Sequence, residues 1–252
     1  MRLGSGAAGS YTERMAQTRG MPYLVGRLAG KKFKKAKWIW ESAAGSEEDA
    51  IVAERQMGLD LAAKVREASR LPVAPEVQAL LNDILAALAD RVANRAHRFE
   101  ITALADTQRA AFALPGGYIF VSTALVELAE RDHDELAFVV AHEMAHVIRR
   151  HAIDRWLTDK ALAAVSMATP ATRRLSPLIR RLGMDGLSKA YSRQQEDEAD
   201  ELGVKLASAA GFDPAGAVRV LQRLAAADEG FSFLSTHPPT ADRIRRLRVR
   251  PE

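Results

Sequence analysis

Six histidines and no cysteines bound the metal chemistry open to this 252-residue chain. Two of them, His142 and His146, stand four residues apart with Glu143 between them, in Ala141-His-Glu-Met-Ala-His146. The surrounding residues, from Leu136 to Ile148, are apolar or alanine almost without a break and predict a helix. Four residues make about one helical turn, so both imidazoles leave one face, one above the other. Two ring nitrogens so placed can share a tetrahedral zinc ion at about 2.0–2.1 Å each. Glu143 follows the first ligand and points to the side, toward the open coordination position. There it can take a proton from water that the metal acidifies to a pKa of about 7, which is the chemistry of metal-assisted hydrolysis. The bland alternative is a surface helix with two unrelated histidines. Phe138, Val139, Val140, Met144, Val147 and Ile148 argue against it, because they make the helix apolar nearly all round and therefore buried. Buried histidines and a buried glutamate need partners, and a metal supplies them.

A catalytic zinc site takes a third protein ligand and keeps a fourth position for water. His97, His133, His151 and His237 remain, and a carboxylate can serve equally. The best candidate is Glu196, in Tyr191-Ser-Arg-Gln-Gln-Glu196-Asp-Glu-Ala-Asp200, which opens another apolar helix. Asp200 lies one turn further along the same face and can accept the distal N–H of a ligand histidine, fixing its tautomer. Spacing alone does not separate Glu196 from Glu198. Asp197, Glu198 and Glu201 read as solvated charges, and His133 and His151 as helix-surface residues. His237, ahead of two prolines, reads on its own as the cap of a short helix. Trp156 reads as core.

The elements that must position these groups are mostly helices. Ser46 caps one that runs to about Ser69, where Leu71-Pro-Val-Ala-Pro75 breaks it. A second covers Val77 to Ala93. Phe99 to Ala105 alternates in the manner of a strand, and Ala111 to Thr123 reads as two short strands around Pro115-Gly116-Gly117. Helices follow at about 124–131, 133–152, 153–168, 186–210, 214–226 and 239–248. The fold class is therefore α+β, predominantly helical, with a small β-sheet. The segment 158–190 carries Pro170, Pro177 and the pairs Arg173-Arg174 and Arg180-Arg181. It reads equally as a membrane-dipping flap, a lid over the cleft, or a solvated connector.

A hydrophobic content of 48% with 27% charged residues excludes a disordered or fibrous chain. The net charge of +4 is unevenly spread. Residues 1–46 hold nine Lys/Arg against Glu13 and Glu41, a net of +7, which leaves the remainder about three units negative. The division expected is a basic, Gly/Ser- and Lys-rich extension over 1–46 and a catalytic domain over 47–252. Because the positive charge sits at the ends, nucleic acid is not an expected partner. Within the extension, Lys31-Lys-Phe-Lys-Lys-Ala-Lys37 and the following Trp38 and Trp40 fit an anionic membrane surface. They fit better an arm whose aromatics pack on the domain while the lysines stay solvated. No stretch reaches the roughly 18 apolar residues of a membrane span, and the first residues lack the apolar core of a signal peptide. A cytoplasmic location, with peripheral membrane contact through Lys31–Lys37, is the expectation. Nothing in the sequence sets the oligomeric state.

Taken together, His142-Glu-x-x-His146, Glu196-x-x-Ala-Asp200 and Thr236-His-Pro-Pro-x-x-x-Arg243 resemble the zinc metallopeptidases of the CAAX prenyl protease, HtpX and BepA type. The stretch Phe112-Ala-Leu-Pro-Gly-Gly-Tyr-Ile-Phe-Val121 resembles the strand that precedes the active-site helix in that family. The likeness runs from about Glu54 to Arg246. It implies a zincin-like domain with the sheet beside the active-site helix and one Zn²⁺ per chain. The ligands it implies are His142, His146 and Glu196, with Glu143 as the base. Asp200 is implied behind the ligands, or as a proton donor in some descriptions of the family. His237 is implied to lie over the metal on a mobile loop. Phe112, Ala113, Leu114, Pro115, Gly116 and Gly117 would form the edge along which a polypeptide substrate aligns. Ala110 stands where the family usually has Asn, and neither transmembrane helices nor a C-terminal repeat domain is seen.

The implied activity is zinc-dependent endopeptidase cleavage of unfolded or membrane-associated proteins, as in protein quality control. His237 and Arg243 are the candidates for stabilising the oxyanion, with Tyr191 behind them. His237 has a second reading as a fourth ligand that holds the enzyme off. The competing classes are a self-inhibited, metal-bound chaperone or adaptor with incidental proteolysis, and an anionic-surface binder driven by the basic arm.

Overall fold

The structure, a computed structural model, describes residues 46–69, 71–154, 190–227, 237 and 241–249. The Lys31–Lys37 arm, Trp156, all but the first two residues of the helix expected at 153–168 and nearly all of the 158–190 segment lie outside them. Residue contacts divide the chain into Met1–Ala53 and Glu54–Glu252. In the first unit the described residues begin helix α1 (Glu47–Ala68). Ser46 and Asp49 cap it reciprocally: Asp49 N donates to Ser46 Oγ at 3.2 Å, and Ser46 N donates to Asp49 Oδ2 at 3.1 Å. The Ser46 hydrogen bonds hold the Asp49 carboxyl below its usual range.

In the second unit, helix α2 (Pro75–Ala89) starts on a proline whose missing N–H costs nothing there. It ends four residues short of the Ala93 expected. Arg91 N and Val92 N reach back only three residues, to Leu88 O and Ala89 O, so the last turn tightens and stops. Strands β1 (Glu100–Leu104), β2 (Ala111–Leu114) and β3 (Tyr118–Ser122) form a sheet of order β1-β3-β2. β1 runs parallel to β3, with Ile101 opposite Ile119. β2 is antiparallel to β3, with Phe112 opposite Phe120 and their rings stacked at 5.1 Å.

Alternation sorts the strands onto two faces. Leu104, Phe112, Leu114, Tyr118 and Phe120 cluster with Ala62 and Val65 of α1. Ile101, Ala103, Ala111, Ala113, Ile119 and Val121 join the main core with Leu81 and Ile84 of α2 and with the helix carrying His142. Coverage on both faces explains why Ala111 to Val121 is apolar with no polar alternation. The turn between β2 and β3 is fixed from behind. Gly116 has φ +80°, and a Cβ there would lie 2.2 Å from Arg55 Cα, a backbone atom that cannot step aside. Gly116→Ala is therefore expected to cost about 1–3 kcal/mol, and a thermal melt should fall by about 2–4 °C for each of them. An unchanged midpoint would mean that the turn does not seat on α1 in this way.

Ser122 closes the sheet. Its Oγ accepts from Ala110 N at 2.9 Å and from Leu125 N at 3.1 Å, which caps helix α3 (Thr123–Leu128). Helix α4 (His133–Ile148) follows, capped by Asp132 Oδ1, which accepts from Asp134 N and Glu135 N at 2.9 Å each. Every residue from Glu135 to Val147 is buried. Helix α5 (Arg193–Ala209) opens on a capping box of Ser192 and Gln195 rather than at 186, and helices α6 (Ala215–Ala226) and α7 (Ala241–Val249) follow among the described residues. α6 pins the start of α4: Arg223 Nε lies 3.1 Å from the fully buried Glu135 carboxylate, and Arg219 contacts Asp132 and Asp134. Burial pushes the Glu135 carboxyl up, and Arg223 opposes it.

The helix expected over 133–152 breaks at Arg149–Arg150. Arg150 takes φ +63°, with its guanidinium 2.8 and 2.9 Å from Glu54 Oε1, and residues 151–154 form one further turn in a new direction. Among the described residues no helix is long and apolar enough to cross a membrane.

Candidate metal centre and active site

α4 and α5 pack closely, and the site lies along that contact. Glu196, Asp200 and Gly203 share one face of α5, spaced by about a helical turn. A Cβ on Gly203 would sit 3.1 Å from His142 N, so the glycine lets α5 approach the backbone that carries the first histidine. Sequence reasoning passed over Gly203. The signal was a lone glycine inside a helical pattern.

Across that contact four side chains converge. His142 Nε2 and His146 Nε2 are 3.1 Å apart. His237 Nδ1 lies 3.2 Å from His142 Nε2 and 2.9 Å from Glu196 Oε1. Glu196 Oε1 is 3.5 Å from His146 Nε2, and Oε2 is 3.7 Å from His142 Nε2. All four residues are buried, and their ligand-type atoms fall within 4.8 Å of one another. A tetrahedral ion with bonds of about 2.0–2.1 Å has ligand–ligand edges of roughly 3.3–3.4 Å. The measured separations bracket that length. Burial drives the His146 pKa well below that of free imidazole, against an opposing pull from Glu196. A neutral ring offers a lone pair, which is what a metal requires. The donor set of imidazoles and one carboxylate therefore fits a divalent cation of intermediate softness.

Glu143 is fully buried beside this group, with Oε1 3.3 Å from His237 Nε2. The Tyr191 ring stacks on His146 at 3.8 Å and 14°. Asp200 places Oδ1 3.1 Å from His142 Nδ1. Arg243 is 2% exposed and holds both carboxylates behind the histidines. Its Nε donates to Asp200 Oδ2 at 2.8 Å, one terminal nitrogen to Asp200 Oδ1 at 2.7 Å, and the other lies 2.6 Å from Glu196 Oε2. Burial alone would raise the Asp200 carboxyl. The Arg243 and His142 hydrogen bonds outweigh it and hold the group well below the usual carboxylate range. For Glu196 burial is likewise overridden, here by His146, His142 and Arg243.

One placement departs from the sequence reading. His151, read as a helix-surface residue, is buried, with Nδ1 3.1 Å from His146 Nδ1. Glu198, read as solvated, stands at the surface and has Oε2 3.3 Å from His151 Nε2. On a continuous helix His151 would sit five positions past His146 and face elsewhere. The break at Arg150 turns it back, and nothing in the residue spacing signals that break. His133 is exposed, in keeping with its reading. Phe112, Ala113 and Leu114 lie on β2 at the sheet's edge and Pro115, Gly116 and Gly117 in the turn, all buried, with α4 packed beside β2.

Comparison with known proteins finds relatives named as metalloproteases. The chain is 34% identical over 155 residues to the mitochondrial metalloendopeptidase OMA1 of Schizosaccharomyces pombe, covering 60% of this chain and 46% of that protein. It is 30% identical over 155 residues to the beta-barrel assembly-enhancing protease of Yersinia pestis, covering 56% and 32%. It is 27% identical over 147 residues to the metalloprotease YcaL of Escherichia coli, covering 56% and 57%. The chain thus spans less than half the length of the mitochondrial relatives it matches. The family model described as Peptidase family M48 matches residues 75–250, which take in the His142–His146 pair, Glu196 and Arg243, and the chain belongs to that family.

Proposed function

We propose that this chain is a zinc-dependent endopeptidase that cleaves unfolded or membrane-associated polypeptides in protein quality control. The observation that carries the reading is the meeting of His142 Nε2, His146 Nε2, Glu196 and His237 in one buried group with the spacing of a tetrahedral ion. Relatives named as metalloendopeptidases and as an assembly-enhancing protease support peptide-bond hydrolysis and a quality-control setting. His142, His146 and Glu196 would hold the ion, which supplies Lewis-acid polarisation of a carbonyl and acidifies water.

The chain's own residues supply the rest. Glu143 accepts the proton of the attacking water on its carboxylate and delivers it to the leaving amine nitrogen. Asp200 accepts the N–H of His142 and so keeps that ring's lone pair on Nε2. Arg243, engaged on Asp200 and Glu196, acts as a positioning residue rather than as the oxyanion donor expected from the sequence. A substrate strand would pair along β2 and continue past the Phe112–Gly117 segment. The Lys31–Lys37 arm would bring the domain to an anionic membrane surface.

His237 favours one second reading. It reaches Glu196 through Nδ1 and Glu143 through Nε2. A residue in that place occupies both a ligand site and the base, which fits a self-inhibited, metal-bound chaperone or adaptor whose proteolysis is incidental. Elemental analysis tests the centre common to both. Wild-type protein dialysed with zinc is expected to retain close to one ion per chain, and Glu196→Ala to lose most of it. Equal zinc in the two would remove Glu196 from the centre.

A further inference from the structure

A histidine that gives one ring nitrogen to a metal carries its proton on the other, and that proton needs an acceptor. For His142 the acceptor is Asp200. His146 also turns Nε2 toward the group, but its Nδ1 faces a second imidazole, His151, at 3.1 Å. His151 is 5% exposed, and its Nε2 lies 3.3 Å from Glu198 Oε2. Glu198 stands at the surface and takes a further hydrogen bond from Gln194 Nε2 at 2.9 Å.

This arrangement fixes its own protons. The Glu198 carboxylate can only accept, so the proton on a neutral His151 belongs on Nε2. That leaves Nδ1 of His151 as a lone pair. Two lone pairs 3.1 Å apart repel, so the proton between the rings sits on His146 Nδ1. His146 Nε2 is then the free lone pair, and it points into the metal group. The reverse order, with His151 donating from Nδ1, would place the His146 proton on Nε2, where the ion must bind.

We propose that His151 is the positioning residue of His146, accepting its Nδ1–H and relaying Nε2–H to Glu198, so that His146 presents Nε2 to the metal. The inference rests on the metal-centre reading above. The two ligand histidines then differ in their support. His142 leans on a buried carboxylate already neutralised by Arg243. His146 leans on a neutral ring whose carboxylate is one residue further out. The device depends on the break after α4: the Arg150 turn at φ +63°, held by Glu54, swings His151 back beside His146.

The test uses the full chain, with zinc affinity measured by competition against a chromogenic chelator and the visible spectrum of the cobalt(II)-loaded protein. His151→Phe keeps a ring but removes the acceptor, and is expected to weaken zinc binding by roughly 10–100-fold and to shift the cobalt bands. His151→Asn places an amide oxygen near the Nδ1 position and should recover most of the affinity and the wild-type spectrum. Glu198→Ala, at the surface, should weaken zinc in the same direction by a smaller factor while leaving the melt in excess chelator unchanged. Equal losses in the Phe and Asn variants would show that His151 only fills space, and overturn the proposal. If the Phe variant does not fold, wild-type affinity in Glu198→Ala overturns it instead. Failure of wild-type protein to bind zinc would sink the metal centre itself, a different outcome from tight wild-type binding that His151 does not influence.

Discussion

Glu143→Gln is expected to bind zinc like the wild type and to hydrolyse an unfolded substrate such as casein about 10²–10⁴-fold more slowly. The substitution keeps the size and shape of a side chain that is fully buried in α4, so packing gives no reason for the protein to unfold. Glu143 is not among the four residues whose ligand atoms converge, so zinc content gives no reason to change either. What the amide lacks is a basic oxygen. It can accept a hydrogen bond from water but cannot take the proton, and the leaving amine then departs without one. Activity therefore separates from metal content in this variant, whereas in Glu196→Ala both fall together. Cleavage at the wild-type rate would remove the peptidase assignment. A wild type that binds zinc and unfolded protein but cleaves no faster than the Gln variant would favour the chaperone or adaptor reading.

Helical periodicity was sufficient to pair His142 with His146, because the two lie within one uninterrupted turn of a buried helix. The same periodicity put Glu196 and Asp200 on one face of α5. It could not choose between Glu196 and Glu198, since both stand near a helix start and the choice depends on how α5 is rotated against α4. Gly203 lets α5 come close to the His142 backbone on the Glu196 and Asp200 face. The sheet was legible because its two faces are covered and its turn needs glycines at positive φ. Helix ends were read less well. α2 closes early by tightening its last turn, and α4 stops where Arg150 adopts a conformation that few side chains favour. His151 was misplaced for that reason alone. Arg243 is tied to the centre in the sequence only through the Thr236-His-Pro-Pro-x-x-x-Arg243 resemblance, which names no partner for it. Its partners, Asp200 and Glu196, are more than forty residues away in sequence, and no local rule links them.

Those partners set the other large effect. Arg243→Leu is expected to destabilise the metal-free protein by roughly 3–5 kcal/mol, because it leaves two carboxylates buried side by side without their cation. Arg243→Lys should recover little, since an ammonium is a point charge and cannot span both oxygens of Asp200 and one of Glu196 as the guanidinium does. Zinc neutralises part of the charge on Glu196, so the deficit measured in chelator should shrink when zinc is supplied. The pH dependence follows with a definite sign. In the wild type the Asp200 carboxyl is held well below its usual range, chiefly by Arg243 against the opposing effect of burial. Such a group contributes stability that is present above its unfolded pKa of about 3.9 and is lost as the pH falls below it. In the Leu variant burial acts unopposed by Arg243 and raises the carboxyl, so acid protonates it and relieves the strain. The gap in melting temperature between the two proteins should therefore be widest near pH 7 and narrow toward pH 4. A residue whose task was to meet the oxyanion would behave otherwise, lowering kcat while stability and zinc content stayed at wild-type values. That result, with no gap at pH 7 in chelator, would return Arg243 to the substrate side of the centre.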